Sequence, residues 1–134
     1  SMIFLIGAAL SLATGSSWGT FALVIPIVVP IAAALDASIP ICLGAALSGG
    51  LFGDQTSPIS DTTVLSSMSS GVNHMAHVET QIPYALITAS FAFVGFIFAS
   101  LTSALEAPYL SFVFMFILMG ATYFVLSKVR VGRL

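Results

Sequence analysis

The stretch that decides the fold reads Gly53-Asp54-Gln55-Thr56-Ser57-Pro58-Ile59-Ser60-Asp61-Thr62-Thr63. It places two carboxylates and five hydroxyl side chains between two apolar segments, residues 39–52 and 64–68. An acidic side chain at membrane depth is costly, so acids there usually serve a function. Because Pro58 disfavours an unbroken helix, the pattern predicts an ion site in an interrupted helix.

The composition indicates that lipid, rather than water, surrounds most of the chain. Hydrophobic residues make up 58% of the 134 residues, and charged residues only 6%. A soluble domain has about 25% charged residues, so this chain cannot cover a globular surface with polar groups. The composition predicts an all-α integral membrane protein in contact with the lipid bilayer. At about 20 residues per span, the length allows about four to five spanning or re-entrant helices.

The apolar runs divide this single predicted transmembrane domain, residues 1–134, into parts. We expect a re-entrant hairpin or a broken helix over 2–35, an interrupted helix over 39–70, a polar loop over 71–81, spanning helices over 82–105 and 109–127, and a tail over 128–134. The alternatives for 2–35 remain open at this point. The chain starts within an apolar run without a charged n-region, which favours N-terminal truncation over a signal peptide.

The basic residues predict the orientation. All three, Lys128, Arg130 and Arg133, lie in the last seven positions. The positive-inside rule therefore places the C-terminus of this multi-pass cell-membrane protein in the cytoplasm. The remaining sequence offers no basic patch for nucleic acid.

The chemistry of the stretch favours small cations. Carboxylate, hydroxyl and backbone oxygens form a hard ligand shell that suits Na⁺, so we predict Na⁺ binding at Asp54 and Asp61. Gly53 is expected to supply unusual backbone angles where the helix breaks. A second polar break at residues 14–20 is expected to donate further hydroxyl ligands. The candidate ion ligands are Asp54, Asp61, Ser57, Ser60, Thr62, Thr14, Ser16 and Ser17.

Two other patterns have rival interpretations. Residues 15–19 read GSSWG, a G-x-S-x-G pattern that marks a hydrolase nucleophile only on a strand-to-helix turn. An intramembrane serine protease using Ser17 and a histidine is therefore an unfavoured alternative. His74, His77 and Glu79 could bind a metal, but their spacing is a weak signal and favours a polar loop at the interface. Sensing of pH by the two histidines stays open.

Four segments stand out in order and spacing: ATGSSWGT at 13–20, FGD at 52–54, SPISDTT at 57–63 and HVETQIPYA at 77–85. Together they resemble the NhaC family of Na⁺/H⁺ antiporters. The resemblance implies a secondary transporter built from inverted repeats, each with a re-entrant hairpin and an interrupted helix. In that plan, residues 14–20 form the hairpin tip and residues 53–60 the interruption. This chain then corresponds to one half of the inverted-repeat transporter, in its C-terminal part.

The expected activity is Na⁺/H⁺ antiport, with the carboxylates binding Na⁺ and H⁺ in turn. No cofactor is expected beyond the transported ions. The resemblance also implies Na⁺/H⁺-coupled exchange of malate and lactate as an alternative, since relatives catalyse it. A further alternative is a truncated segment that does not transport. The expected partners are a missing N-terminal half or a second chain, and a homo-oligomer is an alternative.

Overall fold

The computed structural model describes residues 1–103, 110–111 and 113–120, and within them it forms helices and no strand. The prediction of an all-α fold is thereby confirmed. The helices are α1 (Met2–Thr14), α2 (Ser17–Ala34), α3 (Ile39–Thr56), α4 (Asp61–Ser69) and α5 (His74–Ser103). Residues 110–111 and 113–120 are helical as well.

A tight turn at Gly15 and Ser16 joins α1 to α2. Gly15 takes the left-handed conformation, with φ 67°, and its N–H donates to the Ser11 carbonyl at 2.8 Å. A side chain is disfavoured at such an angle, and an added Cβ would lie 2.8 Å from the Ile59 carbonyl oxygen. Ser16 then caps α2, because its hydroxyl accepts the Gly19 N–H at 3.3 Å.

α1 lies along α3 in the same direction. Phe4 near the start of α1 meets Gly49, and Ser11 near its end meets Gly53. A Cβ on Gly53 would clash with the carbonyl oxygen of Ala8, so the two backbones approach as closely as glycine allows.

α2 lies along α3 in the opposite direction. Ser17 at the start of α2 contacts Asp54 near the end of α3, and Phe21 lies beside Gly50. Further along, Val24 and Val28 pack in one buried cluster with Ala46. Helices α1 and α2 therefore form an antiparallel hairpin, and its tip lies level with the break after α3.

The break itself is shorter than expected and begins later. Helix α3 continues through Gly53 and Asp54 to Thr56, and α4 begins at Asp61. The role expected of Gly53 was therefore wrong: it is helical, and close packing against α1 is what requires glycine there. Between the helices, the Ser57 N–H donates to the Asp54 carbonyl at 3.2 Å.

Helix α5 begins eight positions before residue 82, the predicted start of the span. The loop expected over 71–81 was therefore wrong from His74 onward. Asn73 supplies the physical reason, since its side-chain oxygen accepts the N–H groups of Met75 at 3.0 Å and Ala76 at 3.2 Å. This cap starts the helix in polar sequence. Within the described residues, α2 and α5 are the helices long and apolar enough to cross a membrane.

Some predictions fall outside the described residues. The tail over 128–134 lies outside them entirely, and the spans over 82–105 and 109–127 lie outside them in part. The orientation inferred from the basic tail therefore stays a prediction.

Candidate functional site

The side chain of Asp54 lies at the centre of the candidate site. It is 5% exposed, and its two carboxylate oxygens accept hydrogen bonds from three hydroxyl groups. Ser60 Oγ donates to Oδ1 at 2.7 Å. Ser17 Oγ and Thr62 Oγ1 donate to Oδ2 at 3.1 and 3.3 Å. These three donors come from the hairpin tip and from the far side of the break, so both polar segments contribute to one site.

Helix ends set the electrostatics around this carboxylate. Ser17 is the first residue of α2, and Ser60 is the N-cap of α4. The N-terminal ends of both helices thus lie beside Asp54, where their partial positive charge stabilises an anion. Residues 1–120 contain no lysine or arginine, so no such side chain within the described ranges neutralises the acid.

Asp61 occupies different surroundings from Asp54, although the sequence suggested one shared site. Its side chain is exposed in the first turn of α4. The carboxylate accepts the N–H of Thr62 at 2.8 Å. The neighbouring Thr62 hydroxyl, by contrast, points to Asp54 and lies 2.7 Å from Ser60 Oγ. Asp61 therefore lies at the margin of the Asp54 shell.

The remaining predicted ligands make other contacts. Ser57 is fully buried and its hydroxyl donates to the Leu12 carbonyl at 2.9 Å, which ties the break to α1. Thr14 donates to the Leu10 carbonyl at 2.9 Å, within its own helix. Ser16 acts as the cap of α2. These three hydroxyls shape the hairpin tip and the break around the site.

Ser11 is a polar residue beside the site that sequence reasoning missed. It is fully buried, and its hydroxyl has no hydrogen-bond partner among the described residues. Its Cβ would be 2.8 Å from a Cβ added at Gly53, one residue before Asp54. The signal that could have found it is periodicity, because Ser11 lies one helical turn after Gly7 on the face of α1 that meets α3.

We expect Ser11→Ala to raise stability and Ser57→Ala to lower it. Both hydroxyls are fully buried, but only that of Ser57 is bonded. Removing the unsatisfied hydroxyl of Ser11 recovers its desolvation cost and should raise the free energy of unfolding by about 1 kcal/mol. Removing the bonded hydroxyl of Ser57 leaves the Leu12 carbonyl without this donor and should lower it by about 1 kcal/mol. Thermal unfolding in detergent micelles measures both. A clear loss of stability in Ser11→Ala would show that this hydroxyl is satisfied.

The protease alternative finds no support in the geometry. Ser17 lies at the start of a helix, and the partner of its hydroxyl is the Asp54 carboxylate. His74 is held elsewhere, with Nδ1 3.2 Å from Ser67 Oγ and Nε2 2.6 Å from the Pro58 carbonyl oxygen. Within the described part of the chain, no three His, Cys, Asp or Glu side chains group as metal ligands would.

Comparison with known proteins gives related sequences. A protein of unknown function from Haemophilus influenzae is 44% identical over 103 residues, covering 75% of this chain and 20% of that protein. The malate-2H⁺/Na⁺-lactate antiporter of Bacillus subtilis is 42% identical over 99 residues, covering 70% and 21%. An uncharacterized Na⁺/H⁺ antiporter of Haemophilus influenzae is 38% identical over 87 residues, covering 62% and 19%. No solved structure matches the chain significantly.

The chain thus spans about a fifth of the length of these relatives. The sequence profile of the Na⁺/H⁺ antiporter family matches residues 1–101, which include the hairpin, the break and nearly all of α5. The resemblance drawn from the sequence motifs is therefore confirmed. With most of its length matched, this chain is a membrane protein that belongs to the Na⁺/H⁺ antiporter family.

Proposed function

We propose that the Asp54 site binds Na⁺ and H⁺ alternately and that the complete protein exchanges these ions across the membrane. One observation carries the proposal: a buried carboxylate is surrounded by three hydroxyl groups, without a lysine or arginine in residues 1–120 to neutralise it. A buried charge is costly unless something balances it. A monovalent cation or a proton would each do so.

The hydroxyl shell suits this exchange. A serine or threonine hydroxyl has one hydrogen to donate and lone pairs to accept. Without a cation, Ser17, Ser60 and Thr62 stabilise the carboxylate by donating to it. With Na⁺ bound, the same oxygens would turn their lone pairs to the ion, while Asp54 balances its charge. A proton on Asp54 would remove that charge and release the ion, so the two ligands compete.

Asp61 is proposed to act at the entrance to this site. It is exposed at the start of α4, next to Thr62 of the shell. A carboxylate there would raise the local cation concentration without itself being desolvated. Asp54 is the group proposed to alternate between the two ions, with Ser17, Ser60 and Thr62 as its fellow ligands.

The proposed setting is a multi-pass transporter with a cytoplasmic C-terminus. The relatives are about five times longer than the segments they share with this chain. We therefore propose that the site functions against a further part of the protein or a second chain. The hairpin would turn back within the membrane beside the break, where its non-helical tip would be covered by protein or water.

A transport assay tests the proposed function. The complete protein in which this sequence occurs is reconstituted into vesicles that contain a pH-sensitive dye. We expect an imposed Na⁺ gradient to drive H⁺ in the opposite direction, and an equal choline gradient to drive none. Equal signals from Na⁺ and choline would rule out Na⁺/H⁺ exchange as the activity.

A second candidate is Na⁺- and H⁺-coupled exchange of malate and lactate. The observation that favours it is the 42% identity to the Bacillus subtilis antiporter of that name. The same vesicles, loaded with lactate and placed in labelled malate, separate the candidates. Malate uptake that requires internal lactate would support the second, and Na⁺-driven H⁺ movement without either acid would support the first.

We expect Ser60→Ala to weaken Na⁺ binding about tenfold, the loss of one ligand to a charged partner. Ser60 makes the shortest bond to Asp54, at 2.7 Å, and also caps α4. Ser16→Ala is the matched control, because Ser16 caps α2 and is bonded to Gly19 instead. The Na⁺ concentration at half-maximal flux measures the effect. An equal shift in both variants would mean that capping alone is responsible.

A further inference from the structure

We propose that His74 is a positioning residue for the ion site, which it serves by holding the break in α3–α4 in place. This proposal rests on the proposed function for its link to Na⁺. His74 is the first residue of α5 and is distant from Asp54 in sequence. Its imidazole ring nevertheless contacts the segment that carries Ser60.

The ring joins three parts of the structure through its two nitrogens. Nε2 lies 2.6 Å from the Pro58 carbonyl oxygen, within the break. Nδ1 lies 3.2 Å from the hydroxyl of Ser67, which is fully buried in α4. A carbonyl oxygen only accepts hydrogen bonds, so Nε2 carries a hydrogen and donates it to Pro58. His74 thus connects α5 to both the break and α4.

The position of Ser60 depends on this connection. Ser60 follows Pro58 by two residues and makes the shortest bond to the Asp54 carboxylate, at 2.7 Å. Helix α4 has nine residues, too few for a helix to be stable in isolation. Its orientation must come from contacts with its neighbours. A histidine that binds the helix on one side and the break on the other sets where Ser60 and Thr62 lie relative to Asp54.

Two substitutions separate the Pro58 contact from the Ser67 contact. The amide nitrogen of glutamine and Nε2 of histidine are the same number of bonds from Cβ. His74→Gln therefore retains a donor to the Pro58 carbonyl. Asparagine carries its nitrogen at the position of Nδ1, so His74→Asn retains only the contact with Ser67. Both are neutral, polar and smaller than histidine, so each is the control for the other.

The test measures Na⁺-driven H⁺ flux and amide hydrogen exchange on the complete protein. We expect His74→Asn to raise the half-saturating Na⁺ concentration about tenfold with little change in maximal flux, and His74→Gln to stay within about threefold of the native value. Amide exchange in a peptide over residues 57–64 should be faster in His74→Asn and near native in His74→Gln. Equal behaviour of the two variants, in flux and in exchange, would overturn the proposal.

The two measurements also separate this proposal from the proposed function. Absence of Na⁺-driven flux in the native protein would overturn the proposed function. Hydrogen exchange requires no transport, so it would still decide whether His74 holds the break. A lower maximal flux at unchanged Na⁺ affinity in His74→Asn would overturn the positioning of Ser60 by His74.

Discussion

Asp54→Asn is expected to abolish Na⁺-driven H⁺ flux, by at least about a hundredfold. Asparagine has nearly the same shape and can still bond the hydroxyls of Ser17 and Ser60, so the site should keep its geometry. It carries no charge, however, and cannot exchange a proton. Asp54 and a bound Na⁺ would form a buried ion pair, and removing one partner of such a pair typically costs about 3–5 kcal/mol. A hundredfold loss of flux needs only about 2.7 kcal/mol. Flux in reconstituted vesicles is the measurement.

The control for this experiment is Asp61→Asn, which removes the same charge seven residues later. Asp61 is exposed and accepts the N–H of Thr62, so its loss should reduce flux less than about tenfold. The thermal midpoint of Asp54→Asn should equal or exceed the native value, because a buried amide costs less than a buried carboxylate. Near-native flux in Asp54→Asn, or an equal loss in both variants, would contradict the assignment of Asp54.

The polar pattern of the sequence predicted the two breaks and most of the shell. Hydroxyls and acids that interrupt apolar runs are costly in a membrane, so their location is informative without any structure. The cost of burial pointed to Asp54, Ser60, Thr62 and Ser17 as candidate ligands, and the structure brings these four side chains together. Pattern alone could not separate Asp54 from Asp61, because which acid faces inward depends on where α3 ends and α4 begins.

The polar and apolar pattern of the sequence could not predict contacts between helices that are distant in sequence. Glycine is compatible with both a break and a close helix contact, and only the position of α1 shows that Gly53 serves the second role. Ser11 resembles many helical serines, yet it is the buried one without a partner among the described residues. The contact of His74 with Pro58 joins residues sixteen positions apart across a break, which no periodicity encodes.

Gly53→Ala is expected to destabilise the protein by about 2 kcal/mol, the usual cost of overfilling a tight contact. An added Cβ would clash with the Ala8 carbonyl oxygen and lie 2.7 Å from the Leu12 nitrogen. Both are backbone atoms of α1, so no side chain can rotate away and the helices must separate. The gain in helix propensity from glycine to alanine, about 1 kcal/mol, is too small to offset this. Unfolding in detergent micelles measures the change.

Gly19→Ala is the matched control, because a Cβ at that helical position meets only Ser16, at an ordinary 3.6 Å. Its propensity gain should therefore appear as unchanged or raised stability. Separation of α1 from α3 would also withdraw the Leu12 carbonyl from the Ser57 hydroxyl, now 2.9 Å away. Gly53→Ala should therefore weaken Na⁺ binding as well, since the break then shifts beside Asp54. Equal stability of the two variants would mean that α1 does not pack on α3 as closely as the structure shows.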